Sequence, residues 1–216
     1  RLLKDGVQCR ICLQAFDPAH YVKRLDSCNH YFHRDCIDTW CQNHVGRVQK
    51  LFVQIFSTFR VPHRRKNFKH LQLHMIGKLQ TNKVKFVVPL FDYIHSLDSL
   101  KLANKISKEQ KKIKKILKIF IQINIGGEEQ KNGIEETDLD EFYKSCVNEL
   151  GLDIIGLMCL PPNDDDSKKY FAKMKDLAQK INVKELSMGM SNDYLEASRH
   201  GATYLRIGSK IFGNRD

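Results

Sequence analysis

The segment His74-Met75-Ile76-Gly77-Lys78-Leu79-Gln80-Thr81-Asn82-Lys83 opens the series of elements that decides the fold. From here to the end of the chain, short apolar runs alternate with amphipathic stretches of helical length. This alternation is typical of repeated βα units built around a parallel sheet. The six predicted strands span residues 73–76, 93–96, 118–125, 154–160, 185–188 and 204–207.

Five helices are predicted between these strands, over residues 82–88, 97–116, 139–150, 167–179 and 194–200. Asp138, and either Asp165 or Asp166, precede two of them and are residue types that favour helix N-caps. Gly151 is predicted to end the helix before it. Cys146 and Cys159 are expected to be small core residues rather than reactive thiols.

The helix predicted over 97–116 is rich in lysine. Ile106, Ile113, Ile116 and Leu117 can form one buried stripe while the lysines face water. The formal charge of +11 and the pI of about 9.3 raise nucleic acid as a partner. No nucleic-acid-binding signature accompanies the basic runs, so we interpret them as solvated surface. No apolar run reaches the roughly 18 residues of a membrane span.

Two turns near the end of the chain combine glycine with serine. Ser191 follows the run Met188-Gly189-Met190, and Gly208-Ser209 follows Arg206. Backbone N–H groups at helix starts and small hydroxyl side chains hold phosphate groups. Either turn alone is usually just a turn, but βα barrels bind phosphate after their last two strands.

The runs 74–83, 187–193 and 206–213 resemble signature segments of the pyridoxal-phosphate homeostasis protein family, a one-domain barrel related to the N-terminal domain of alanine racemase. The resemblance implies a TIM-type βα barrel over 73–216 that binds pyridoxal 5′-phosphate without catalysis. Arg206 matches the arginine that faces the pyridine nitrogen, and a protonated guanidinium keeps that nitrogen unprotonated. The implied cofactor-binding residues are His74, Ser187, Met190, Ser191, Arg206, Gly208 and Ser209.

Two segments of that family are not found upstream of His74. The first is an Ala-Val-Ser-Lys strand, whose lysine forms the imine with the cofactor aldehyde, and the second is a Phe-Gly-Glu-Asn strand. Neither Lys50 nor Lys66 follows a strand of the right type. The resemblance therefore predicts an incomplete barrel of about six of eight strands, with impaired cofactor binding.

Residues 47–72 resemble neither module. Apolar residues between Leu51 and Phe59 recur at helical spacing, and a basic cluster follows. A basic amphipathic stretch can bind an anionic membrane or nucleic acid. We favour a linker, and a junction between two unrelated coding segments is the third interpretation.

Residues 1–46 carry closely spaced metal-ligand types. Cys9-Arg10-Ile11-Cys12 is followed by a C-x-H-x2-H-x2-C run from Cys28 to Cys36. Such turns place pairs of ligands on a tetrahedral zinc ion. Five of the seven cysteines lie between Cys9 and Cys41, which indicates metal in a reducing compartment and hence a cytoplasmic protein.

This segment resembles a RING-H2 zinc finger. The resemblance implies that Ile11 and Trp40 receive a ubiquitin-conjugating enzyme, although both could equally pack around the zinc. The alternative function is thus a RING-type ubiquitin ligase module, or else a non-functional fusion. In this resemblance the first zinc site would comprise Cys9, Cys12, His33 and Cys36. The second site would contain Cys28 and His30. The family's closing ligand pair is missing, and only Cys41 and His44 could replace it.

Overall fold

The computed structural model describes residues 72–128, 130–162 and 166–208, together with the backbone of three earlier strands. Two of these, β1 (Val22–Leu25) and β2 (His30–His33), form an antiparallel hairpin in which Val22 lies opposite His33. The backbone of His30 and His33 is therefore in β2. The other predicted zinc ligands, and Ile11 and Trp40, lie outside the described residues.

A parallel sheet contains all six predicted strands, so the prediction of an incomplete TIM-type barrel is confirmed. These strands are β4 (His74–Met75), β5 (Tyr93–Leu97), β6 (Lys118–Ile123), β7 (Asp153–Cys159), β8 (Glu185–Ser187) and β9 (Tyr204–Leu205). They lie side by side in the order β9-β8-β7-β6-β5-β4 and curl into a half-barrel.

A short strand that the sequence did not predict extends this sheet. Strand β3 (Lys50–Leu51) pairs in parallel with β9, with Lys50 opposite Tyr204 and Leu51 opposite Leu205. It falls inside the 47–72 segment interpreted as a linker. In a closed βα barrel the first strand occupies this place beside the last one, so the chain enters the sheet before His74.

Among the described residues, five helices cover the outer face of the sheet and bury one hydrophobic core with it. They are α1 (Val84–Leu90), α2 (Leu100–Ile113), α3 (Leu139–Lys144), α4 (Ser167–Lys180) and α5 (Tyr194–Arg199). A 3-10 turn (Thr81–Lys83) leads into α1, and a π-helical turn (Ser145–Glu149) continues α3. Within the described ranges, no helix is long and apolar enough to cross a membrane.

Helix α2 is shorter than predicted, and this corrects its buried stripe. The Ser99 side chain accepts a hydrogen bond from the Leu102 N–H at its start. At its end, Lys114 adopts a left-handed conformation with φ 52°. The chain turns there, so Ile113 and Ile116 are 41% and 79% exposed instead of buried.

The rest of the α2 prediction is confirmed, since Ile106 and Leu117 are buried. The buried face of the helix is completed by Leu102, Ala103, Ser107 and Gln110. The Gln110 side-chain oxygen accepts a hydrogen bond from the Leu117 N–H at 2.6 Å. This bond fastens the turn after the helix to its buried face.

The prediction that aspartate side chains cap two of the helices is wrong, although its positions are right. Asp138 and Asp166 stand at N-cap positions, but neither side chain makes a capping hydrogen bond. Asp138 already has a helical backbone because a 3-10 turn (Glu136–Asp138) precedes α3, and an N-cap side chain works from an extended backbone. Asp165 lies outside the described residues. Gly151, with φ +66°, does end its helix as predicted.

Candidate functional site

The inner face of the sheet carries a small aromatic cluster. Because side chains alternate along a strand, Ile94 and Ile119 face the helices while Tyr93 and Phe120 face inward. The cluster contains Tyr93, Phe120, Met158 and Tyr204. The His74 ring stacks on Tyr93, with centroids 3.9 Å apart.

Four buried polar side chains form a continuous hydrogen-bonded chain beside this cluster. His74 Nδ1 lies 3.0 Å from His95 Nε2, and His95 Nδ1 lies 2.8 Å from Ser187 Oγ. Arg206 donates from Nη1 to Ser187 Oγ at 2.9 Å. It also donates from Nη2 to the Cys159 carbonyl at 2.7 Å. We call His74, His95, Ser187 and Arg206 the polar chain.

His95 is the central member of the polar chain and is held uncharged. Burial lowers its pKa well below the ordinary value, and its electrostatic interactions with His74 and with Arg206 act in the same direction. Its ring stacks on Phe120 with centroids 4.3 Å apart. A neutral imidazole has one N–H donor and one acceptor nitrogen, so each hydrogen bond of His95 has a definite direction.

Arg206 is a buried cation. Burial lowers the pKa of its guanidinium, against the opposing influence of Cys159 and Asp193, yet an arginine side chain stays protonated in proteins. Its hydrogen-bond partners among the described residues are two neutral oxygens. A buried charge is costly unless it is paired. The site is therefore suited to an anion or to an electron-rich acceptor atom of a ligand.

The two predicted phosphate turns contact each other. The Gly208 N–H donates to Ser191 Oγ at 3.2 Å, which ties the loop after β9 to the loop after β8. The Met190 N–H donates to Asp193 Oδ1 at 2.6 Å, just before α5 begins. Met190 itself is 46% exposed. Ser209 lies outside the described residues.

The loop after β8 depends on a glycine. Gly189 has φ +89°, a conformation that other residues rarely adopt. A Cβ at this position would lie 2.5 Å from the Ala197 Cβ. The Arg206 N–H donates to the Gly189 carbonyl at 3.0 Å, so this loop also fixes the backbone of the buried arginine.

A polar cavity of about 670 Å³ opens beyond the carboxyl ends of β4, β5 and β6. Its lining includes Lys78, Gln80, Asp98 and Asn132. The Lys78 ammonium donates to the Asn132 side chain across it. None of these residues was predicted as a site residue. Because the carboxyl ends of parallel strands share one edge, the cavity is on the same side of the sheet as Ser191 and Gly208.

The structure brings three of the predicted site residues, His74, Ser187 and Arg206, together in one place. They are connected through His95, which the sequence analysis does not single out. A histidine within an apolar strand resembles an ordinary core residue. The available signal was its spacing: His95 lies two residues after Tyr93 and hence on the same face of β5. Within the described ranges, no group of three or more side chains could hold a metal ion.

Two family models match the chain. The alanine racemase N-terminal domain matches residues 48–216, a range that includes β3, and the Ring finger domain matches residues 7–45. The pyridoxal phosphate homeostasis protein of Aquifex aeolicus is 39% identical over 154 residues, which cover 67% of this chain and 68% of that protein. The Pasteurella multocida protein of the same name is 34% identical over 174 residues, covering 76% and 71%.

Solved structures agree with these matches in fold. PipY of Synechococcus elongatus, solved without PLP, superposes with a TM-score of 0.71 at 25% identity. The match covers 82% of this chain and 98% of the PipY chain. Alanine racemase of Clostridium difficile matches with a TM-score of 0.59 at 16% identity, over 77% of this chain and 45% of that one, which is a likeness of fold alone.

Proposed function

The chain belongs to the pyridoxal phosphate homeostasis protein family, and from this premise we propose that its half-barrel binds pyridoxal 5′-phosphate without turning over a substrate. The observation that carries the proposal is the buried guanidinium of Arg206, which Ser187 and the Cys159 carbonyl hold in place. When bound, the cofactor supplies a pyridine ring that withdraws electrons and a reactive aldehyde.

In this proposal Arg206 binds the pyridine nitrogen. The nitrogen is an acceptor, and the two observed bonds use only two of the five guanidinium N–H donors. Since Arg206 stays protonated, it donates a hydrogen bond to the nitrogen without giving up its proton. An unprotonated pyridine is a weak electron sink, which favours binding and transfer of the cofactor over racemase chemistry.

The phosphate is assigned to the contact between Ser191 and Gly208. Both the Gly208 N–H and the Ser191 hydroxyl can donate to phosphate oxygens, and they already lie 3.2 Å apart. A Cβ added at Gly208 would meet no atom of the described residues within 4 Å, which leaves room for a ligand beside this backbone. Ser209, His74 and Met190 complete the proposed set of cofactor-binding residues.

We further propose that the family's imine-forming lysine is lost and that cofactor binding is weaker as a result. The support is that no Ala-Val-Ser-Lys segment precedes His74. Lys50 is the first candidate for a substitute, because its backbone lies in β3 beside β9. Loss of the covalent bond would leave the cofactor held by the guanidinium and the phosphate contacts.

A titration of the full chain with pyridoxal 5′-phosphate, followed by absorbance, tests the proposal. Borohydride reduction and peptide mapping then show whether any lysine is modified, and which one. We expect saturable binding that Arg206→Gln weakens about tenfold or more, as for loss of a charged hydrogen bond. Arg199→Gln, which changes an arginine with a 73% exposed side chain, is the matched control. Absence of saturable binding would overturn the proposal.

A second candidate function belongs to the N-terminal segment. The Ring finger match over residues 7–45 favours a zinc-binding module that recruits a ubiquitin-conjugating enzyme through Ile11 and Trp40. Zinc content per chain tests this: two ions support a complete cross-brace with Cys41 and His44, and one supports the first site alone. A chain that binds neither zinc nor pyridoxal 5′-phosphate would instead be a non-functional fusion.

A further inference from the structure

The polar chain links three strands of the half-barrel, β4, β5 and β8, to the residue that follows β9, through side chains that are all buried. We propose that its hydrogen bonds run in one direction, from Arg206 through Ser187 and His95 to His74, and that His95 is a positioning residue for Arg206. The described contact between His95 and Arg206 is indirect. His95 acts through the Ser187 hydroxyl, which lies between them.

The direction follows from which groups can donate. A guanidinium only donates, so the Ser187 oxygen accepts at its contact with Arg206. The hydroxyl has one hydrogen, and its other partner among the described residues is His95 Nδ1 at 2.8 Å. The Ser187 hydroxyl therefore donates to Nδ1.

The direction then passes through the imidazole ring. A neutral His95 whose Nδ1 accepts has its hydrogen on Nε2, and that N–H donates to His74 Nδ1 at 3.0 Å. His74 in turn has its hydrogen on Nε2. The reverse direction would make Ser187 accept from both sides, and its own hydrogen would then lack an acceptor among the described residues.

The surroundings of His95 favour the neutral form that this direction needs. His74 faces it from β4, and Arg206 lies just beyond Ser187. The Tyr93 and Tyr204 rings lie with centroids 6.5 and 5.8 Å from its own. None of these described neighbours is a carboxylate that would stabilise an imidazolium. Burial raises the pKa of Tyr204, so that phenol stays protonated as well.

The consequence for binding rests on the proposed function. The Ser187 oxygen can face the guanidinium with its lone pairs only if its hydrogen is directed elsewhere, and His95 Nδ1 provides that acceptor. This arrangement sets the orientation of Arg206 before a ligand arrives. An arginine fixed in advance binds more tightly because less side-chain freedom is lost on binding.

The first test is nitrogen NMR of the full, cofactor-free chain with labelled histidine at neutral pH. We expect both His95 and His74 in the neutral form with the hydrogen on Nε2, assigned with the variants His95→Asn and His74→Asn. A hydrogen on Nδ1 of His95, or an imidazolium, would overturn the proposed direction. This result does not depend on whether pyridoxal 5′-phosphate binds.

The second test compares two replacements of His95. The side-chain amide of Asn reaches the position of Nδ1 and keeps the Ser187 contact, whereas that of Gln reaches the position of Nε2 and keeps the His74 contact. We expect His95→Asn to bind pyridoxal 5′-phosphate within about threefold of the wild type, and His95→Gln to lose about tenfold, as expected for one lost hydrogen bond.

If His95 had a purely structural role, both variants would bind pyridoxal 5′-phosphate equally weakly. If it had no role, both would bind as the wild type does. Either result overturns the positioning role. Thermal unfolding of the two variants shows whether they are equally folded. If the wild-type chain binds no pyridoxal 5′-phosphate, the proposed function fails, while the NMR result still decides the direction of the polar chain.

Discussion

The Ser187 hydroxyl accepts a hydrogen bond from the Arg206 guanidinium at 2.9 Å, and both side chains are buried. The bond connects the end of β8 to the residue that follows β9, which are neighbouring strands. The same hydroxyl contacts His95 on β5. The Ser187 side chain thus connects β5, which lies next to the edge strand β4, with the last two strands of the half-barrel.

Replacing this hydroxyl is expected to destabilise the fold. Ser187→Ala leaves Arg206 and His95 without a shared partner in a buried place, which costs about 1–3 kcal/mol of unfolding free energy. Ser191→Ala is the control, because Ser191 is only partly buried, and it should cost less than about 1 kcal/mol. Urea unfolding followed by circular dichroism measures both, and equal losses would contradict the role assigned to Ser187.

The lowered pKa of His95 predicts a pH dependence of stability. The folded chain holds His95 neutral, whereas in the unfolded chain the imidazole takes up a proton below about pH 6.5. The unfolded state therefore binds more protons at low pH. The contribution of His95 is full above that pH, and it is lost by up to about 1.4 kcal/mol per unit as the pH falls toward the folded pKa.

Urea unfolding at several values between about pH 5 and 8 measures this dependence, which spans the titration of an ordinary histidine. His95→Asn lacks the titrating ring and should show a shallower fall over the same range. An identical pH profile for the two proteins would mean that His95 does not control it.

Gly156 is expected to tolerate no side chain. It lies opposite Glu185 in the pairing of β7 with β8, and an added Cβ would sit 2.0 Å from the Glu185 carbonyl oxygen. Gly156→Ala must therefore separate the two strands, at a cost of at least about 1–3 kcal/mol. Gly77→Ala is the matched control, because no atom in the described part of the chain lies within 4 Å of a Cβ there. Similar melting temperatures for the two variants would refute this view of the strand pairing.

The strands were predictable from sequence because each is an apolar run long enough to stand out between helical stretches. The strand Lys50–Leu51 could not be predicted, because two residues within a basic segment show no alternation of apolar and polar side chains. Only its pairing with β9 makes this segment a strand. The role of His95 was hidden for a related reason. Its chemistry depends on Ser187, which is 92 residues away, and no local pattern reports such a contact.

Helix ends were the other weak point, and Lys114 shows why. Periodicity predicts which residues share a face, but it does not reveal where the backbone leaves the helix. A left-handed lysine is an uncommon helix stop compared with glycine, so the sequence gives no sign that the helix ends at Lys114. Asp138 is a second example, because the 3-10 turn that ends at this residue has no signal in the sequence.

The buried face of α2 observed in the structure predicts a large loss of stability for one isoleucine substitution and a negligible one for another. Ile106 is fully buried, so Ile106→Ala should cost about 2–5 kcal/mol of unfolding free energy. Ile116 is 79% exposed, so Ile116→Ala should change it by less than about 0.5 kcal/mol. Urea unfolding of the two variants checks the prediction. A large loss of unfolding free energy for Ile116→Ala would mean that Ile116 is buried, and it would contradict the exposed position seen here.

The two cysteines of the half-barrel are expected to resist alkylation while the chain is folded. Both are buried, and burial raises the pKa of each thiol to about 12. The reactive thiolate is therefore scarce near neutral pH. Iodoacetamide treatment and peptide mapping should find Cys146 and Cys159 unmodified in the native chain and modified in urea. Cys159 is the stricter case, because its carbonyl accepts from Arg206, so its alkylation in the native chain would mean that this part of the polar site opens.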